Sequence, residues 1–334
     1  MAHQHPIHHA NEHSPFGDLP ADEFYRHHKV LHHEVFITTT SSHGPIKLFT
    51  QSWCPDYHDK NSDAAPLRGL VAMVHGYSAE SGWMFGLTAV AFAKLGFRVV
   101  ALDLPGHGQS EGRRGHIPDI NPVVDACAEF FEAARAGHDH LPAFLYGESL
   151  GGAVAALVCM RQRGRWSGLV LSGAMCGVSP RMMPPWPLEH FLPVMAMLTP
   201  DWRVLTKPLA RCSLKEGWKR RLFENSPHQL SSGRPPASTA LELMRVAGEV
   251  GRRGAELELP LLVVHGGDDA VCDQESAERL YASARTGDKT LRVLPGVWHQ
   301  LVGEPPEGVE AAFGIVFSWL VGQAEKASRP PHRH

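Results

Sequence analysis

No two of the six cysteines in this 334-residue chain form a C-x-x-C. Cys54, Cys127, Cys159, Cys176, Cys212 and Cys272 lie far apart, which argues against a zinc ribbon, a redox pair or a disulfide scaffold and fits a reducing compartment. Positive charge is not in excess either. With 32 Lys+Arg against 35 Asp+Glu, the chain offers no field for a phosphate backbone, so a nucleic-acid partner is not expected. No charge-free apolar run reaches the ~18 residues of a membrane span. The polar, histidine-rich start has no secretory h-region, so a soluble, cytoplasmic protein is expected.

Apolar residues make up 43% of the chain, enough for a substantial core. Leu70–Val74, Arg98–Leu102, Ala143–Tyr146, Gly168–Leu171, Leu261–Val264 and Leu291–Leu294 are short, nearly continuous apolar runs of the kind that form parallel strands buried on both faces. Helical patterns separate them at Trp83–Leu95, Pro122–Ala136, Gly151–Gln162, Leu241–Val250 and Gln274–Arg285, and Val309–Gln323 closes the series. Such βα alternation implies an α/β fold with a mostly parallel sheet covered by helices. Ahead of it, 34–40 and 47–53 flank a Ser-Ser-His-Gly-Pro turn and read as a β-hairpin.

The expected organisation is a disordered His-rich tail over 1–30, a core of 31–175 and 241–324, an inserted cap over 176–240 and a tail over 325–334. Ten of the 22 histidines precede Pro45, and His28 and His32 sit four apart. No cysteine or acidic ligand set accompanies them, so the reading is a solvated tail rather than a metal site.

Gly147-Glu148-Ser149-Leu150-Gly151 is a G-x-S-x-G. Alone the motif is common. Here it follows an apolar run and opens a helix of small residues, the context in which a tight turn projects a nucleophilic serine. Serine needs a base and an orienting acid, in the chain order Ser, Asp/Glu, His. His299, after the run Leu291–Leu294, is the expected base. Spacing alone leaves the acid open among Asp268, Asp269 and Asp273. The oxyanion donors are expected to be the backbone N–H groups of Leu150 and of Tyr77, the latter in the His75-Gly76-Tyr77 loop. Gly106-His107-Gly108 fails as a dinucleotide loop because the sixth position is Glu111. Cys272 falls three residues after Asp269, near enough to lie beside the site.

Taken together, His75-Gly-Tyr77, Asp103-Leu-Pro-Gly-His-Gly108, Gly147-Glu-Ser-Leu-Gly151, His265-Gly-Gly-Asp-Asp269 and Gly296-Val-Trp-His299 resemble the plant-type monoacylglycerol lipase and caffeoylshikimate esterase group. Lys47–Ser52, Leu141–Tyr146 and Asp288–Leu291 extend the match to roughly residues 30–322. The resemblance implies an α/β-hydrolase fold, a serine hydrolase and a cap over the active site. It selects Asp269 over Asp268, since the family's acid lies four residues after the histidine of H-G-x-x-D. Many members have Met where this chain has Leu150; only the backbone N–H matters there.

The expected activity is carboxylic ester hydrolysis through an acyl-enzyme on Ser149, with neither cofactor nor metal. Monoacylglycerol or a related lysolipid is the first substrate class, a hydroxycinnamoyl ester the second. A small-ligand receptor with little turnover is the contrasting reading, and an acyltransferase a further one. The run Phe191–Leu198 with Met182, Met183 and Trp186 is apolar on every side, with a short helix expected to start near Pro193. Two readings stand side by side: internal packing of the cap, with Met filling gaps, or a wall for an acyl chain made by Met183, Trp186, Met195 and Leu198, with the cap touching lipid peripherally.

Overall fold

The apolar runs become the centre of one eight-stranded sheet in the computed structural model, which describes residues 4–40, 44–56, 66–183, 186, 188–204, 207–230 and 233–328. In chain order the elements are α1 (Ala21–His27), β1 (Val30–Thr39), β2 (Ile46–Pro55), β3 (Gly69–Val74), α2 (Trp83–Lys94), β4 (Phe97–Leu102), α3 (Asn121–Arg135), β5 (Ala143–Glu148), α4 (Leu150–Arg161) and β6 (Gly168–Ser172). There follow α5 (Leu188–Leu198), α6 (Leu209–Ser213), α7 (Gly217–Glu224), α8 (Ala237–Arg252), β7 (Leu261–Gly266), α9 (Gln274–Ser283), β8 (Lys289–Leu294) and α10 (Pro306–Ser328). The sheet order is β1-β2-β4-β3-β5-β6-β7-β8. β3 to β8 run parallel, while the expected hairpin joins antiparallel through β2 against β4.

Why the central strands read as unbroken apolar runs is visible in β3. Leu70, Ala72 and Val74 face one core, and Val71 and Met73 face the other. The first core lies under α3, α4, α8 and α9, the second under α2 and α10. Helix α4 is buried from Leu150 to Met160, so its composition is small and apolar all round. β8 departs from the expectation of burial on both faces: it is the sheet edge, half-buried, with Arg292 exposed.

The expected disordered N-terminus is folded from residue 4 onward. Pro6–His9 form a 3-10 turn against α2, and Ile7 and Phe24 are completely buried in the α2/α10 core. His5 is buried too. Its Nδ1 accepts from the Ile7 amide at 3.1 Å, its Nε2–H reaches Thr88 Oγ1 at 3.4 Å, and its ring lies 4.3 Å from that of Phe313. A polar composition concealed three core contacts. At the other end, α10 continues to Ser328, beyond the boundary expected for the tail.

The excursion between β6 and α8 is not one separate body. α5 packs on α8 through Leu192 and Ala237, with Val204 from the intervening segment and Met195 and Met244 alongside. α6 and α7 belong instead to the opposite core, through Ala210, Leu214, Leu222 and Phe223. The buried Lys219 holds α7 in place, donating to the carbonyls of Val302 at 2.9 Å and Glu304 at 2.6 Å. α5 begins at Leu188 and carries Pro193 inside it, not at its start. α8 begins at Ala237, four residues earlier than the expected boundary of 241.

Because Phe24 is a core residue, Phe24→Ala is expected to destabilise the protein by ~3–5 kcal/mol, the usual cost of emptying a buried aromatic site. Urea unfolding checks this; a loss below about 0.5 kcal/mol, as for a surface change, would mean that the segment is not packed.

Candidate active site

Ser149 stands between β5 and α4 with φ 54° and ψ −121°, a conformation that a residue with a side chain adopts only under constraint. The constraint is crowding. A Cβ on Gly147 would lie 2.4 Å from the Gly151 oxygen, one on Gly151 2.1 Å from the Val74 oxygen, and one on Gly152 2.4 Å from Ala174 Cβ. Glycine at these positions lets β3, β5 and α4 close on one another. The Ser149 amide donates to Ser172 O at 3.1 Å and its carbonyl accepts from Met175 N at 2.8 Å, so the turn is tied to β6 and the loop after it.

His299 arrives from the loop after β8, and its Nδ1 donates to Asp269 Oδ2 at 2.7 Å. Asp269 follows β7. Its other oxygen accepts from the amides of Val271 at 2.7 Å and Cys272 at 2.9 Å, which aims the carboxylate at the imidazole. Both side chains are buried. Burial by itself disfavours the imidazolium, but the Asp269 carboxylate overrides it, with Cys272 adjacent, and raises His299 well above its usual range. Asp269 is correspondingly lowered: burial opposes its charge, and His299 more than compensates.

The other two candidate acids point elsewhere. Asp268 is exposed, and Asp273 caps α9, its Oδ2 accepting from Ser276 N at 2.9 Å. Cys272 does lie beside the site, within hydrogen-bonding reach of both His299 and Ser149. Burial raises its thiol and so keeps the proton on it.

Leu150 follows Ser149 directly and Gly76 closes on its side chain, a Cβ there lying 3.1 Å from Ser149 Cβ; among the described residues neither the Tyr77 nor the Leu150 amide has a hydrogen-bond acceptor. The Tyr77 hydroxyl is used elsewhere, donating to Gly115 O at 2.8 Å. Behind the loop is a brace that sequence reasoning missed. His75 donates from Nδ1 to Gly76 O at 2.8 Å and accepts the Leu104 amide on Nε2 at 3.0 Å, which defines its tautomer. Burial lowers His75 to about 4, so the ring stays neutral. Asp103 accepts from the Ser81 amide at 2.6 Å, the Ser81 hydroxyl at 2.7 Å and the Gln109 amide at 2.7 Å. The signal was there in H-G-Y and D-L-P-G-H-G, whose conformational role needs the loops seen side by side.

Ser149 lines one of two cavities in this region. That cavity has a volume of about 110 Å³ and an almost wholly apolar lining, with Met175, Met182, Met183, Leu192, Val204 and Met244 among its walls together with Tyr77, Ser149 and Leu150. Of the four residues expected to wall it, Met183 does. Met195 packs between α5 and α8, while Trp186 and Leu198 are 78% and 68% exposed. The correction follows from α5 starting at Leu188: the helix turns Leu192 inward and Leu198 to the outside. The second, smaller cavity lies by the residues that adjoin Ser149, His299 and the Tyr77 loop, namely Glu148, Gln300 and Ala79–Glu80, and also takes in Ser226 and Gln229. Burial raises Glu148 to about 7 and Glu80 to about 8.

A serine on a strained strand-to-helix turn, at the carboxyl ends of a parallel sheet and with a His–Asp pair after later strands, defines the serine-hydrolase class of α/β-hydrolases. More particularly, a family model described as serine aminopeptidase, S33, matches residues 65–306, and the chain belongs to that family. It is 29% identical over 316 residues to the caffeoylshikimate esterase of Arabidopsis thaliana, covering 93% of this chain and 92% of that protein. It is 29% identical over 282 residues to the monoacylglycerol lipase of Mycolicibacterium smegmatis, covering 83% of this chain and 94% of the other. Among solved structures, a soluble variant of Saccharomyces cerevisiae monoglyceride lipase in complex with a substrate analog superposes with a TM-score of 0.73 at 19% identity, covering 89% and 96% of the two chains. At that identity the likeness concerns the fold. The resemblance read from the motifs is thereby borne out, as is the expectation of an ester-cleaving type of serine hydrolase. No helix among the described residues is long and apolar enough to cross a membrane.

The geometry gives a direct expectation for His299. Its imidazole should titrate above ~6.5 in the intact protein. In Asp269→Asn the largest contribution opposing burial is lost and only Cys272 remains against it, so the titration should fall. NMR of the labelled ring checks both; an unchanged titration in the variant would mean that the carboxylate does not govern the histidine.

Proposed function

We propose that the chain is a serine carboxylic ester hydrolase acting on monoacylglycerols or related lysolipids. The observation that carries this reading is the apolar cavity lined by Ser149, which suits the acyl chain of an ester whose carbonyl lies at the serine. Ser149 attacks the carbonyl carbon, and His299 takes the hydroxyl proton. The amides of Tyr77 and Leu150 hold the developing oxyanion, and Asp269 stabilises the imidazolium. His299 then returns the proton to the leaving alcohol, and water resolves the acyl-enzyme by the same steps in reverse. Relatives named as monoacylglycerol lipases support the acyl side of the reading. The relative named as a caffeoylshikimate esterase keeps hydroxycinnamoyl esters as the second substrate class.

The region over 176–236 acts as a cap in this proposal. α5 turns Phe191, Val194, Met197 and Leu198 outward, with Trp186 and Trp202 also exposed, a cluster of large apolar side chains facing solvent. Such a cluster suits peripheral contact with a lipid surface, from which a monoacylglycerol would be drawn. All six cysteines are free, in keeping with a cytoplasmic location.

Ser149→Ala is expected to lower kcat by roughly 10⁴–10⁶ and to abolish labelling by a fluorophosphonate. Asp269→Asn should cost about 10³–10⁴, while Asp268→Asn stays near the parent rate. Because His299 must be neutral to act, kcat/KM should fall on acidification through a pKa above ~6.5. Equal labelling of parent and Ser149→Ala would remove Ser149 as nucleophile.

An ester panel tests the substrate. At ~0.8 kcal/mol per buried methylene, kcat/KM should rise up to roughly fourfold per added methylene until the cavity fills. Met183→Ser should penalise long-chain glyceryl esters more than acetates. Leu198→Ser should leave soluble short esters unchanged and weaken binding to lipid vesicles. A preference for caffeoyl over oleoyl esters, or for aminoacyl anilides over both, would overturn the assignment.

A further inference from the structure

Outside the active site, His9 and the consecutive pair His27 and His28, distant from it in sequence, converge where the N-terminal segment folds back. His9 ends the 3-10 turn, and His27 and His28 end α1. Their ring centroids are 5.2 Å (His9–His27), 4.9 Å (His9–His28) and 5.1 Å (His27–His28) apart. One ring nitrogen from each lies within 4.8 Å of the other two. His28 is only 7% exposed, packed edge-on against Phe24, and its Nε2 is buried with no hydrogen-bond partner. A core histidine ordinarily satisfies both ring nitrogens, as His5 does with Ile7 and Thr88.

We propose that His9, His27 and His28 form a structural site for a divalent transition-metal ion of the zinc type. Three imidazoles without a thiolate are a donor set suited to Zn²⁺, with water in the fourth position. At Zn–N distances of ~2.0–2.1 Å, tetrahedral ligands stand roughly 3.3 Å apart, so the rings must close by about 1–1.5 Å. His9 and His27 are exposed and can turn to do so, while the packed His28 stays as the fixed ligand.

His28 also meets the protonation requirement, since a ligating imidazole must be neutral. Burial, with Lys94 and the two neighbouring histidines adding to it, lowers His28 to about 3. Lys94 is the cation that faces the cluster, and Glu310, which pairs with His8 at 2.8 Å, offsets it. The spacing of His28 and His32 in sequence pointed to a different pair. His32 is already engaged, bonding to Gln51 Oε1 at 2.9 Å and stacked between Tyr25 and Trp53. Binding would tie the 3-10 turn to the end of α1 and close the loop of residues 10–20 between them.

The test uses the full-length chain without an affinity tag, stripped with EDTA and titrated with Zn²⁺ in a calorimeter while ester hydrolysis is followed. One equivalent should bind, raise the thermal midpoint, slow proteolytic cleavage within residues 10–20 and leave hydrolysis unchanged at that stoichiometry. The double variant H9N/H27N changes only exposed side chains, so it should fold. It should weaken binding at least about 100-fold, since even indirect losses at metal sites cost about 10–100-fold. H13N/H33N, two exposed histidines outside the cluster, should bind like the parent. No uptake by the parent would overturn the proposal. So would equal affinity in H9N/H27N, or equal loss in H13N/H33N. Inhibition of hydrolysis at one equivalent, retained in H9N/H27N, would place the ion at Asp269, Cys272 and His299 instead, whose donor atoms also lie within 4.8 Å of one another.

Discussion

The site depends on the chain turning from strand into helix at one residue, Ser149, with no room to spare on any side. A positive φ on a residue with a Cβ costs roughly 1–2 kcal/mol and persists only where its surroundings leave no alternative. Here β3 supplies the carbonyls of Val74 and His75 that crowd Gly151, β6 supplies the acceptor for the Ser149 amide, and Ala174 crowds Gly152. The strand pairings β3–β5 and β5–β6 therefore do more than build a core. They hold the hydroxyl of Ser149 at the mouth of the apolar cavity and leave the first amide of α4 without an intrahelical partner. The same close approach fixes the Tyr77 loop, because β3 runs directly into it.

Much of this architecture is legible in the residues because parallel strands and their helices obey local rules. Leu70–Val74 and Ala143–Tyr146 are apolar on both faces since both faces are covered, and the glycines around Ser149 announce a turn too tight for side chains. The choice among Asp268, Asp269 and Asp273 was not local. It depends on which carboxylate the Val271 and Cys272 amides turn toward a histidine thirty residues away, and spacing carries no such direction.

The errors have a common cause. Residues 4–28 look like a tail because polar side chains outnumber apolar ones, yet two fully buried residues, Ile7 and Phe24, are enough to dock the segment on a core already formed by α2 and α10. Leu188–Leu198 looks apolar all round, and composition alone could not say which residues turn inward. The helix phase decides it: Leu192 faces the cavity, Met195 faces α8, and Leu198 faces solvent. In both segments the missing information was the neighbouring surface, which no window of sequence contains.

Charge at the site centres on the buried pair of Asp269 and His299, with His265 Nε2 3.4 Å from the same carboxylate oxygen. Glu148 precedes the nucleophile and would, if ionised, oppose any negative charge gathering beside Ser149. Burial raises it to about 7, an effect only partly offset by the Tyr146 hydroxyl, which donates to it at 2.5 Å. Glu80, also among the residues lining the smaller cavity, is raised to about 8 by burial and by the nearby Asp103 and behaves the same way. Around neutral pH both therefore spend much of their time as neutral acids, able to donate as well as accept. The smaller cavity is lined mainly by apolar side chains, Trp83, Met84, Phe85, Phe223 and Val302 among them, with Glu80, Glu148, Ser226, Gln229 and Gln300 as its hydrogen-bonding groups. The amides of Tyr77 and Leu150 are then left as the dominant local field on that side. A group aimed at a transient oxyanion works best in such surroundings, since its dipoles meet no competing anion and little water.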